Sequence, residues 1–314
     1  GPSGSGKEGM AVVFAALMNC EKPKDFPDCE CSSCLRFNTL QHEHLNLVVP
    51  LPALPKKSKD DLDSKSVDSF TEELAKKRNN PFYKIRVPRA TRITLQTIHK
   101  LRRTLYLKSI LSGRKTAVIF DAELLGFGSG ESANALLKIL EEPPKKTLFI
   151  LTTSNYSKII DTVKSRCQTI FFPPISIDKI YNIIDDSISD ADKLVIATIS
   201  NGSIDIAKKI KNNINGMYDN LKLFITACYD VNCSYNSKVI EKISLIRRSS
   251  NSKNELSIFF KSIMIYFKDL LIYSNSKNIN DVVYKNLEKH YNKITDYNTN
   301  TDWDLCITVI ENAC

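Results

Sequence analysis

Apolar positions fall into three short runs separated by helical spacing in the first half of the chain. Leu45 to Val49, Thr116 to Phe120 and Leu148 to Thr152 are apolar throughout rather than alternating, the pattern of strands buried on both faces. Between them, Met10 to Met18 is an Ala-rich apolar helix. Thr94 can cap a helix carrying Ile98, Leu101 and Leu105 on one face, and Ser132 to Glu142 forms another that Pro143 and Pro144 stop. Strands alternating with helices predict an α/β fold with a parallel sheet covered on both sides. Beyond Pro173 and Pro174 the period is helical only: Ile177 to Ser187, Asp190 to Ser200, and then Leu221 to Cys314. The clearest stripe there runs from Glu255 to Tyr273, with Leu256, Phe259, Phe260, Ile263, Phe267, Leu270 and Leu271.

Residues 50 to 92 interrupt this order. Pro50, Pro52 and Pro55 precede the solvated run KKSKDDLDSKS, Ser69 to Arg78 suits one helical turn or two, and Pro81 and Pro88 close the segment. It reads as an insertion without assigned chemistry.

With 314 residues, 42% of them hydrophobic and 25% charged, the chain is long enough for two or three domains of ordinary soluble composition. It has no apolar run of about 18 residues and no export signal, so a cytoplasmic protein with no membrane partner is expected. A net charge of +9 fits an acidic partner such as nucleic acid and fits a solvated Lys-rich surface equally.

Four local patterns carry chemistry. Gly1 to Lys7 fits G-x-x-x-x-G-K, in which Gly1, Gly4 and Gly6 shape a phosphate-cradling loop and Lys7 supplies a point charge. A glycine turn ahead of a helix would show the same spacing. Such a loop is held at a sheet edge by a strand before it, so a segment ahead of Gly1 is expected. Glu8 stands where Ser or Thr would ligate magnesium.

Cys20, Cys29, Cys31 and Cys34, four of the nine cysteines, supply the thiolates of a closed tetrahedral zinc site; the alternative is four unligated thiols on a loop. Cys167, Cys228, Cys233, Cys306 and Cys314 are scattered and read as reduced thiols. VIFDAE at Val118 to Glu123 is an apolar strand ending in Asp121, a magnesium-holding position, but Ala122 takes the place of the water-orienting Glu. Glu123, one residue later, should face the opposite side of an extended segment. Arg166, in Ser165-Arg166-Cys167 ahead of an expected strand, is either a surface residue or a functional guanidinium.

The run SANALLKILEEPPKKTLFILTT, followed by SRCQTIFF, resembles the core of the bacterial DNA polymerase III clamp-loader AAA+ family. The phosphate loop, the cysteine cluster, HEHLNLV at His42 to Val48 and GRKTAVIFDA at Gly113 to Ala122 come in the family's order. The likeness is strong over 1 to 175, weaker in the lid and slight in the helical tail. It departs from the family's motor subunits at Glu8, at Ala122 and at Asp205, where a second sensor would have Arg, and it matches the delta-prime type at Asp-Ala and SRC. The cysteine spacing departs by one residue, with C-x-C in place of C-x2-C.

The resemblance implies an AAA+ domain with a zinc knuckle at 1–175, a helical lid at 176–215 and an all-helical collar at 216–314. It implies assembly with gamma/tau-type and delta-type subunits, with the sliding clamp and primed DNA reached through the complex. Structural zinc on the four cysteines, remnant roles for Lys7 and Asp121 in binding ATP and magnesium, and an arginine finger at Arg166 acting on a neighbour's ATP complete the expectation, together with no polymerase or ATPase activity of the chain's own. Two rivals stand beside it: a gamma-type ATPase motor subunit, and a zinc-containing nucleic-acid-binding module.

Overall fold

The computed structural model describes the whole chain except residues 53–63, 109–111, 127, 129, 230–233, 249–251, 298–302 and 314. Cys233, Cys314 and most of the KKSKDDLDSKS run therefore lie outside the described residues. Two compact units result, Gly1–Pro174 and Ile175–Cys314.

The first unit holds helices α1 (Lys7–Leu17), α2 (Ser32–Asn38), α3 (Ser64–Asn79), α4 (Leu95–Tyr106), α5 (Glu131–Glu141) and the short α6 (Asp161–Lys164). Its strands β1 (Leu45–Val48), β2 (Lys115–Ile119) and β3 (Thr147–Leu151) form a parallel sheet in the order β1-β2-β3, with Val48 beside Ile119 and Ile119 beside Leu151. Each strand lies within a residue of its expected place. Side chains alternate across a strand, and β2 divides accordingly: Ala117 and Ile119 pack with Ile98, Leu101 and Leu105 of α4 and Leu136 and Ile139 of α5. Val118, with Phe120 just past the strand, packs on the other face with Ala11, Val12 and Ala15 of α1 and Phe37 of α2. That double covering explains why the strand reads as apolar throughout. This is the covered parallel α/β arrangement that the spacing predicts.

Thr94 caps α4 by accepting from the Thr97 N–H. Two expectations need correction. The helix foreseen at Ser69 to Arg78 runs from Ser64 to Asn79, because Phe70, Leu74 and the buried Glu73 and Lys77 give it an inward face against the sheet unit. No strand follows Ser165-Arg166-Cys167: Ile170 and Phe171 are exposed and without sheet partners among the described residues.

The second unit is helical throughout its described residues: α7 (Ile177–Ile183), α8 (Asp190–Ser200), α9 (Ile204–Asn212), α10 (Ile214–Tyr229), α11 (Ser234–Arg248), α12 (Ser252–Ser276), α13 (Glu288–Tyr297) and α14 (Trp303–Ala313). The expected lid and collar both fall inside it. Phe259, Ile263, Tyr266, Leu270 and Tyr273 form the buried stripe of α12. Asp269, on the same helix, accepts from the Val283 and Tyr284 N–H groups and from Tyr291 O–H. Its carboxyl is pushed up by burial, against those three hydrogen bonds.

Candidate functional site

The loop from Gly1 to Lys7 turns into α1 through two left-handed residues, Gly4 (φ 77°) and Gly6 (φ 87°), the latter at the helix N-cap. These are conformations that an L side chain rarely adopts. Lys7 opens the helix and is buried; its Nζ donates to Pro2 O at 3.0 Å and to Ser154 Oγ at 3.0 Å, just past β3. Burial holds its ammonium below the ordinary lysine value. Gly1 N lies 3.4 Å from Thr153 O, also just past β3.

Asp121 follows β2 with φ 50°, and its Oδ1 meets Lys84 Nζ at 2.7 Å. The positive φ ends the extended run there. A 3₁₀ turn from Ala122 to Gly126 then carries Glu123 back toward the loop, where its Oε1 accepts from the Ser154 N–H at 3.2 Å. Glu123 is therefore not on the opposite face, as strand alternation would have placed it. Ala122 itself is buried, its N–H donating to Thr152 O.

Sequence reasoning missed the residues that complete this site, all of them from the segment that reads as an insertion. Glu8 Oε2 pairs with Lys77 Nζ at 2.7 Å, both side chains nearly removed from solvent. Lys77 also donates to Pro81 O and Tyr83 O. Gly4, Gly6, Lys7, Glu8, Lys77, Pro81, Phe82 and Lys84 line a cavity of only about 10 Å³. Only the acid at position 8, unusual in a phosphate loop, hints in the sequence that a cation must come from elsewhere.

The cysteines converge. Cys20 lies beyond α1, Cys29 and Cys31 precede α2, and Cys34 sits within it, with the four Sγ atoms all within 4.8 Å of one another. Tetrahedral thiolate zinc, with Zn–S of about 2.3 Å, sets sulfurs roughly 3.8 Å apart, so the donor set fits that ion with no open position for water. The Cys34 N–H on its sulfur draws the Cys31 thiol down to about 6, while burial and the neighbouring Cys20 and Cys31 push Cys34 up. A dication bound there would hold its coordinating thiols deprotonated. Behind them, Ser33 Oγ donates to Asn19 O at 2.7 Å. His42 Nδ1 accepts from the His44 N–H, which leaves the ring proton on Nε2, 3.0 Å from Ser33 Oγ.

Arg166 follows α6 on the surface and is not among the residues lining the phosphate-loop cavity. Its Nη2 meets Glu141 Oε1 at 2.7 Å and its Nη1 donates to Thr162 O at 2.9 Å. Asp205 is buried and paired with Lys209 at 2.6 Å within α9. No described helix is long and apolar enough to cross a membrane.

The family described as DNA polymerase III, delta subunit, matches residues 1–176. Among individual proteins, the DNA polymerase III subunit tau of Bacillus subtilis is 24% identical over 306 residues, covering 91% of this chain and 47% of that protein. The subunit gamma/tau of Mycoplasma genitalium is 25% identical over 304 residues, 89% of this chain and 43% of its own. The subunit delta' of Bacillus subtilis is 24% identical over 232 residues, 74% and 57% respectively. The chain thus spans about half the length of these relatives.

Proposed function

The chain belongs to the DNA polymerase III delta-subunit family of the bacterial clamp loader, and on that premise we propose that it is a delta-prime-like subunit that donates Arg166 to the ATP of an adjacent motor subunit. Its partners are then the gamma/tau-type and delta-type subunits, and through the complex it serves the sliding clamp and primed DNA in the cytoplasm. The observation that carries the reading is an asymmetry of commitment. The groups that would run hydrolysis are replaced and spoken for: Glu8 is paired with Lys77, Asp205 with Lys209, and Ala122 is a buried methyl. Arg166, by contrast, stays at the surface on one exposed carboxylate, with a planar fork able to exchange Glu141 for a phosphate.

An arginine finger supplied by a partner is worth about 10³ to 10⁵ in rate. In a reconstituted loader, Arg166→Ala should leave assembly intact and lower DNA-stimulated ATP turnover and clamp loading, with Arg166→Lys rescuing poorly. Unchanged turnover in the assembled Arg166→Ala complex would show the residue to be structural.

The motor-subunit reading is favoured by one observation, the return of Glu123 to Ser154 beside Lys7. Steady-state turnover by the pure chain, abolished by Lys7→Ala, would decide for it. The fit of the four sulfurs to a closed tetrahedron supports a structural zinc on Cys20, Cys29, Cys31 and Cys34, a role in folding rather than in chemistry.

A further inference from the structure

The stretch from α3 to Val87 meets the phosphate loop at three points, and each contact occupies something a nucleotide would need. The first is the Lys77 ammonium. Its donors go to Glu8 Oε2 (2.7 Å), Pro81 O (2.9 Å) and Tyr83 O (2.6 Å), which uses the three protons a lysine has. Glu8 is the residue after Lys7, where the phosphate-loop pattern puts a magnesium-binding hydroxyl. The second is Lys84, whose ammonium lies 2.7 Å from Asp121, the acid at the end of β2 that would hold the same ion through water. The third is the Phe82 ring: a Cβ placed on Gly6 would lie 2.9 Å from its Cε1, so the ring covers the backbone turn that would cradle phosphate. What remains between these groups is about 10 Å³, room for one water and not for a phosphate.

The segment is itself fixed. Glu73, on α3, accepts from Tyr83 O–H (2.8 Å), the Arg86 N–H (2.7 Å) and Lys76 (2.8 Å). Ile85 and Val87 are buried with α1 in the core on that side of the sheet.

We propose that the 64–87 segment is a built-in occupant of the chain's own phosphate-loop site, with Lys77 and Lys84 supplying in ammonium form the positive charge that magnesium would bring and Phe82 standing where phosphate would lie. The site is thereby closed to nucleoside triphosphates by residues of the same chain, and Lys7 is left to bind Pro2 and Ser154. The inference rests on the clamp-loader reading of the phosphate loop but not on Arg166, so the two fail separately.

The test is calorimetric titration of the full chain with ATP and magnesium, beside a Glu8→Ser, Lys77→Met, Phe82→Ala variant. That variant removes the buried charges as a pair, so no lone ion is stranded. Wild type should give no saturable binding up to millimolar ATP, and the folded triple variant should bind at least about tenfold more tightly than that limit. Micromolar binding by wild type would overturn the proposal, as would a folded triple variant as indifferent to ATP as wild type. Lysine acetylation read by mass spectrometry tests the same closure without any variant. Lys77 should be protected and Lys76, whose side chain is 54% exposed, readily labelled. Equal labelling of the two would mean that the segment stands off the loop.

Discussion

The phosphate loop and the cysteine cluster lie in the same unit, and both gather buried groups that want positive charge, but they obtain it differently. At the loop, Glu8 and Asp121 are neutralised from within by Lys77 and Lys84. At the cluster, four sulfurs converge within 4.8 Å and no lysine or arginine is paired with them among the described contacts. A carboxylate can be satisfied by an ammonium at hydrogen-bond distance. Four thiols that close cannot all ionise without a dication at their centre. The first constellation is thus complete as folded, whereas the second is a donor set that could hold a metal ion.

The largest effect should come from breaking the cluster. Apparent binding free energies of structural zinc in small folds reach about 10 to 16 kcal/mol. Protein purified without added metal should carry one zinc per chain by elemental analysis, and strong chelation should remove it with loss of protection in the stretch from Cys20 to His44. A metal-free preparation with Cys20 bridged to Cys34 would end this reading.

The loop side of the comparison is sharpened by separating the pair from its members. Lys77→Met alone leaves Glu8 ionised and buried and should cost about 3 to 5 kcal/mol in urea unfolding. Adding Glu8→Met should recover part of that, because replacing a buried ion pair by hydrophobic groups of similar volume is often near neutral, although Pro81 O and Tyr83 O still lose their donor. If the double variant were as unstable as the single, the charge pairing would not be what matters there. Lys84→Ala should cost less, about 1 to 2 kcal/mol, since Lys84 keeps partial access to water.

Acid should loosen the same segment. Burial alone would raise the Glu73 carboxyl, but hydrogen bonds from Lys76, the Arg86 N–H and Tyr83 outweigh it and hold the group below its ordinary value. A depressed folded-state pKa contributes stability above the unfolded value of about 4.3, and that contribution is lost as pH falls through the folded one. Hydrogen-exchange protection at Tyr83 to Val87, taken relative to the intrinsic rate at each pH, should therefore fall below about pH 4 in wild type, and much less in Glu73→Gln.

How much of this was legible in the sequence depends on range. Patterns confined to a few neighbours carried through: the apolar runs of the three strands, the Thr94 cap, the glycines at 4 and 6, the spacing of the four cysteines. The partners of those patterns did not. Glu8 and Lys77 are 69 residues apart, and nothing local distinguishes Lys77 from the rest of the 44 Lys and Arg residues. Glu123 was misplaced for a different reason. Strand alternation holds only while the backbone stays extended, and a non-glycine residue with φ of 50° at Asp121 leaves no mark in the residue string.

The smallest predicted effect falls behind the sulfurs. Ser33 is not one of the clustered cysteines, yet its hydroxyl donates to Asn19 O and its oxygen takes the His42 Nε2–H, tying the residue before Cys20 to the residue before Cys34. Such supports hold donors at the spacing an ion requires. Ser33→Ala should cost only about 1 kcal/mol of overall stability but loosen zinc by about 10- to 100-fold, read in competition with a chromophoric chelator. Ser33→Thr keeps the hydroxyl and should retain more of the affinity than Ala. If Ala and wild type release zinc at the same chelator concentration, the four sulfurs hold their geometry through the backbone alone.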